Sequence, residues 1–250
     1  MADFIDAEEN RQPVVIRVWD FPLRLFHWLL VLAVVFSIVS GELGGNLMDW
    51  HGRSGLLILG LLVFRLLWGF IGSRNARFCN FFPTPSRLTA YLRGNWRGQG
   101  HTPLGALSVI ALLLMLAALM GTGLFANDDI TFQGPLFALV SKDASDKLSG
   151  WHDRLFYVLA ALAILHVAAI VFYARVKKRN LVMPMLTGKK TISAHDAPSA
   201  QSKLSCRSIA WRFSAALLIS GAAVCAVDHG AKKPVPPPAQ KAPAAATPDW

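Results

Sequence analysis

Four stretches of about twenty residues, nearly free of charge, govern what this chain can become. They cover residues 23–40, 52–72, 104–126 and 152–174. Crossing ~30 Å of hydrocarbon takes ~20 apolar residues wound as a helix. Backbone groups in lipid must bond internally, so spans of this length are helices. A fifth stretch, 209–227, is richer in Ala and Gly, carries Arg212 and is read as a further span. Composition agrees, with 54% hydrophobic and 16% charged residues, against about 25% charged in a soluble chain. The expected architecture is an all-α integral membrane protein: a four-helix transmembrane bundle with a fifth, C-terminal helix.

Lys and Arg in the connections orient such a bundle. The 73–103 loop holds Arg74, Arg77, Arg87, Arg93 and Arg97 and no acid; the segment after the fourth stretch holds Arg175, Lys177, Lys178, Arg179, Lys189, Lys190, Lys203 and Arg207. The 41–53 loop has Arg53 as its one base, and the 127–154 loop sets three bases against Asp128, Asp129, Asp143, Asp146 and Asp153. The basic connections are therefore expected in the cytoplasm, together with the N-terminus, in a multi-pass membrane protein. The net charge of +10 follows from this topology and does not indicate nucleic acid as a partner; membrane lipid is the expected surroundings. Residues 1–20 are a polar cytoplasmic lead-in without a cleavable signal peptide. The helical domain fills 21–190, a basic linker 191–207, the fifth helix 208–227, and a Pro/Ala-rich tail without core-forming capacity 228–250.

Cys79, Cys206 and Cys225 form no CxxC pair and no CxxCH, which excludes covalent c-type haem, iron–sulfur and zinc-ribbon sites. The histidines carry more information, because ionisable groups inside a bilayer are costly. His152 and His166 are fourteen residues apart on one helix, just under four turns and ~21 Å of rise, so they share a face at two depths. By the topology, His27 lies at the depth of His166 and His51 at that of His152. Trp50-His51-Gly52-Arg53 is echoed by Trp151-His152-Asp153-Arg154, which suggests two helices facing a common centre. Two imidazoles facing each other across a bundle suit a six-coordinate haem iron; zinc usually asks for four ligands, often Cys or carboxylate. His27, His51, His152 and His166 are thus the candidate iron ligands. Arg24, Arg53, Arg65 and Arg154 are candidate partners of haem propionates, with snorkelling to the interface an equal reading for Arg65. Gly52, Gly55, Gly60, Ala160, Ala161 and Ala163 leave room for a macrocycle or serve close helix packing. His101, without a depth-matched partner, reads as interfacial or as part of a quinone or propionate site.

Several pieces together resemble the bacterial cytochrome b561 / nickel-iron hydrogenase b-type cytochrome family: Val18-Trp19-Asp20, Arg24-Leu25-Phe26-His27-Trp28, His51-Gly52, Arg65-Leu66-Leu67-Trp68-Gly69-Phe70, the 100–106 stretch, Trp151-His152 and His166. The resemblance covers roughly 14–190. It implies a four-helix membrane cytochrome holding two non-covalent haem b groups, with His27 paired to His166 and His51 to His152. It further implies electron transfer between quinone or quinol and a periplasmic redox protein or a hydrogenase or dehydrogenase subunit. The reading of another class is a membrane anchor or assembly subunit of a respiratory complex, without a redox role. An ion transporter is disfavoured by the uninterrupted third stretch.

Overall fold

The computed structural model describes residues 13–96, 98, 100–130, 132–193 and 206–230. Residues 1–12, Arg97, the 194–205 part of the linker with His195 and Lys203, and the Pro/Ala tail beyond 230 lie outside them. In chain order come β1 (Pro13–Arg17), α1 (Phe21–Leu43), α2 (Met48–Ile71), α3 (Phe78–Phe81), α4 (Pro85–Leu92), α5 (Pro103–Gly123), α6 (Lys142–Arg175), α7 (Val182–Thr187), β2 (Lys189–Ser193) and α8 (Cys206–Gly230). Five of these, α1, α2, α5, α6 and α8, are long and apolar enough to cross a membrane.

Local chemistry sets the helix starts. Asp20 caps α1, its carboxylate accepting from Leu23 N at 2.8 Å, and Thr102 caps α5, its hydroxyl accepting from Gly105 N at 3.1 Å. A proline stands in the first turn of each, where its missing N–H costs nothing. The sequence expectation starts the fourth span at 152, but α6 begins ten residues earlier. Ser141 caps it and Asp143 sits in its first turn, where an acid complements the helix dipole. Its polar opening turns precede the apolar segment, a start that hydropathy alone does not register.

α1 packs along α2 and α5 along α6; α2 also meets α5 and takes α8 on another face. Ala33, Ile58, Leu62, Leu116, Met120 and Leu159 fill the centre between the two helix pairs. A second cluster gathers Phe26, Phe64 and Trp68 against Phe213 of α8. Leu32, Leu114, Ile164 and Leu165 stay exposed, as suits side chains whose solvent is hydrocarbon. β1 and β2 pair antiparallel, Val14 opposite Ile192, and tie the lead-in to the segment after α7. The sequence analysis had no strand here.

Candidate functional site

The two helix pairs bring His51 of α2 and His152 of α6 together, with ring centroids 6.1 Å apart and planes at 84°. His51 Nδ1 lies 2.9 Å from the Ser37 carbonyl of α1, and His152 Nδ1 3.0 Å from the Leu119 carbonyl of α5. A carbonyl oxygen only accepts, so both Nδ1 atoms carry the proton and each Nε2 keeps its lone pair for a metal. Ser54 donates to His51 O at 2.8 Å and meets Ser37 Oγ at 2.6 Å, which latches α1 to α2 beside the ring. Thr122 Oγ1 lies 3.3 Å from His152 Nδ1.

These distances test whether one iron fits between the rings. Two metal–imidazole bonds of ~2.0 Å, with ~1.1 Å from each ring nitrogen to its centroid, put the centroids of a bis-imidazole centre ~6.2 Å apart. The observed 6.1 Å matches. Among the described residues no three His, Cys, Asp or Glu side chains gather into a metal-holding group, so the donor set here is the pair.

At the other end of the bundle, His27 of α1 and His166 of α6 are electrostatic neighbours. His166 Nδ1 lies 3.4 Å from Ser108 Oγ of α5. His27 Nδ1 is buried without a hydrogen-bond partner, and its ring stands edge-on to Trp28 at 5.1 Å. His51 and His152 are thus brought into ring contact, while His27 and His166 are linked only as electrostatic neighbours.

The arginines divide. Arg53 and Arg154 are exposed beside the 51/152 pair, stacked over Trp50 at 4.9 Å and Trp151 at 5.5 Å. Arg24 lies one turn before His27; one guanidinium nitrogen donates to the Leu186 carbonyl, while its Nε is buried without a partner. Arg65 is 2% exposed. It donates to the Ala76 carbonyl at 3.2 Å, lies 4.5 Å over the Phe78 ring and feels the charge of Asp20. Trp68 Nε1 donates to Asp20 Oδ2 at 3.0 Å. Around this cluster His101 packs between Trp19 (4.6 Å) and Phe81 (4.5 Å). Burial, and secondarily Arg65, pull its imidazole down to about 3, so the ring is neutral.

Of the small residues proposed to make room, Gly52 faces Phe132 and Gly60 faces Val224 of α8, while Gly55 faces Met120 inside the bundle. The sequence analysis did not single out Gly41 and Gly123. A Cβ on Gly41 would stand 2.9 Å from His51 Nδ1, and one on Gly123 2.8 Å from His152 Cε1. It also missed Ser37, Ser108 and Thr122, because a one-dimensional reading carries no signal for which turn of a neighbouring helix meets a ring.

The family model for prokaryotic cytochrome b561 matches residues 18–188. Among similar proteins, the probable Ni/Fe-hydrogenase B-type cytochrome subunit of Azotobacter vinelandii is 24% identical over 72% of this chain and 90% of its own length. Its Azotobacter chroococcum counterpart is 23% identical over the same shares. The probable Ni/Fe-hydrogenase 1 B-type cytochrome subunit of Escherichia coli K12 is 23% identical over 60% of this chain and 80% of its own. No solved structure matches significantly. The match spans β1's neighbour Val18 through α7 and stops before α8; over that length, with its apolar helices, the chain belongs to the prokaryotic cytochrome b561 family of multi-pass membrane cytochromes.

Proposed function

We propose that this chain holds two haem b groups, one between His51 and His152 and one between His27 and His166, and passes electrons across the inner membrane between quinone and a redox partner. His51 with His152, and His27 with His166, would hold the haems, which would supply single-electron exchange there. The observation that carries the reading is the 51/152 geometry: a 6.1 Å centroid spacing, with both Nδ1 atoms turned to backbone carbonyls. The chain's residues then have defined tasks. Ser37 and Leu119 fix the two rings with Nε2 unprotonated. Arg53 and Arg154, exposed beside the pair, neutralise propionates at that end, and Arg24 does so beside His27. Arg65, held by Ala76 and the rings of Phe78 and Phe81, serves the 27/166 end through the loop it anchors.

Basic connections at the 27/166 end make that end cytoplasmic and the 51/152 end periplasmic. Arg24 Nε, His27 Nδ1, Trp96 Nε1 and His101 Nδ1 are buried without partners, and all four belong to the cytoplasmic end. Buried polar groups are rarely left unpaired, so this end is where polar groups of bound cofactor and quinone are expected. The hydrogenase relatives suggest a hydrogenase as the partner at the periplasmic face.

Pyridine haemochrome analysis of the purified protein tests the proposal. Two haems per chain are expected, falling to one in His152→Ala and in His166→Ala. One haem in the wild type, two in either variant, or a colourless preparation at full expression contradicts it.

A further inference from the structure

We infer that the groove between α2 and α8 holds one chain of an acidic phospholipid, with its phosphate against Arg212 and Arg207. Gly60 and Phe64 of α2 and Phe213, Gly221 and Val224 of α8 line the groove, and the first turns of α1 close one end of it. The hydroxyl that lines it, Ser220 Oγ, donates along its own helix to the Ala216 carbonyl at 2.7 Å. Apart from the Cys225 thiol the walls therefore offer hydrocarbon.

Size selects the occupant. The groove measures about 370 Å³. Phe213 to Val224 is eleven residues of helix, ~16 Å of rise. That is about the depth of one leaflet, half of a ~30 Å hydrocarbon core. The mean cross-section is then ~22 Å², the girth of a single polymethylene chain, whereas a partner helix ~10 Å across with its side chains needs several times that area. A Cβ added at Gly221 meets nothing within 4 Å, while one at Gly60 would stand 3.0 Å from Val224 Cγ2. The space thus opens beside Gly221 and closes where the two helices touch. Left empty, it would forfeit the dispersion contacts of its lining, and the bilayer supplies chains to fill it.

Charge selects the head. Arg212 and Arg207 stand at the Phe213 end of the groove, where α8 begins. The Arg212 guanidinium donates to the Ile71 carbonyl at 3.1 Å, which fixes its fork at the mouth, and Arg207 is exposed. Ile16 of β1, Ile192 of β2 and Ile209 of α8 share one apolar cluster, so the β1–β2 ribbon brings exposed Arg17 and Lys189, paired in register, to the same end. The acid of α8, Asp228, is at its opposite end. Asp20 is buried, with its carboxylate taken up by Leu23 N and Trp68 Nε1. Basic sites between transmembrane helices recognise anionic headgroups, and the guanidinium fork matches phosphate oxygens. A zwitterionic lipid brings its own cation to these bases and loses that advantage.

Native mass spectrometry of the full-length protein tests this, after reconstitution in vesicles of equal phosphatidylglycerol and phosphatidylcholine content and extraction in mild detergent. One retained phosphatidylglycerol per chain is expected, enriched about fivefold or more over phosphatidylcholine, the effect of a single base on an anionic headgroup. Gly221→Leu fills the groove from a position without neighbours and should abolish retention; Gly121→Leu, equally free of neighbours on α5, should not. Arg207→Gln with Arg212→Gln should keep a lipid but lose the preference. The groove and its bases include none of the candidate iron ligands, so unchanged haem content marks each variant as folded. Where Gly221→Leu loses haem, Leu217→Trp blocks the same groove and reads the same way. Equal retention of the two lipids by the wild type, retention that survives the blocked groove, a preference that survives loss of both arginines, or displacement of the lipid by added ubiquinone overturns the inference.

Discussion

At Gly41 and Gly123 a single hydrogen in place of a methyl group decides whether an imidazole fits. Either added Cβ would lie closer than 3.0 Å to a ring atom of His51 or His152, and neither ring can retreat without losing its carbonyl. Gly121, two residues from Gly123 on α5, has nothing within 4 Å of an added Cβ. Gly123→Ala is therefore expected to lower occupancy of the 51/152 site alone, read as a loss of up to one haem per chain. Gly121→Ala should leave both haems and gain about 0.5–1 kcal/mol of helix propensity. Equal haem loss in the two variants would contradict this account of the ring's fit. His101 makes a different prediction. Its folded-state value near 3 lies below the unfolded 6.5, so the unfolded chain binds the extra proton between those values. Stability is then insensitive to this group above about pH 6.5 and falls as pH drops through the window toward 3. Melting of the detergent-solubilised protein should be less acid-sensitive in His101→Phe than in the wild type across that window; parallel pH profiles would contradict it.

At the scale of elements, α8 is a helix outside the matched family region, yet it is integrated into the fold. Phe213 stands edge-on to Phe64 at 5.8 Å and to Trp68 at 6.3 Å, and Arg212 donates to the Ile71 carbonyl at 3.1 Å, closing an open end of α2. Helix association in lipid rests on such packing and hydrogen bonds. Phe213→Ala should cost about 1–3 kcal/mol, taking ~0.5–1.5 per aromatic contact, and lower the melting temperature with both haems retained. Loss of a haem would show that α8 shapes the cofactor sites and does more than cover α2. All five spans were legible in the sequence, because length and hydropathy are local properties that the bilayer selects. The approach of His51 to His152 was legible too, since the topology set both at the same depth. The docking of α8 on α2, the β1–β2 pairing and the polar opening turns of α6 were not. The first two depend on contacts between segments far apart in sequence, and the third on a Ser cap at 141 in a polar stretch that resembles loop. Arg65 illustrates the same limit: one charge in an apolar helix could not reveal Ala76, Phe78 and Phe81 as its surroundings.

For the whole molecule, the two helix pairs form a frame in which α6 supplies one of the four candidate histidines to each end, His152 and His166. α1 supplies His27 at one end and α2 supplies His51 at the other. A device of this form needs its centres fixed at opposite faces of the bilayer, and the rigid spacing along α6 provides that. An experimental density map of the purified protein in lipid tests the central claim most directly. The account predicts two planar macrocycles, one iron bonded by the Nε2 atoms of His51 and His152 and the other by His27 and His166. A map with one macrocycle, or with these four rings turned toward the acyl chains, would contradict it.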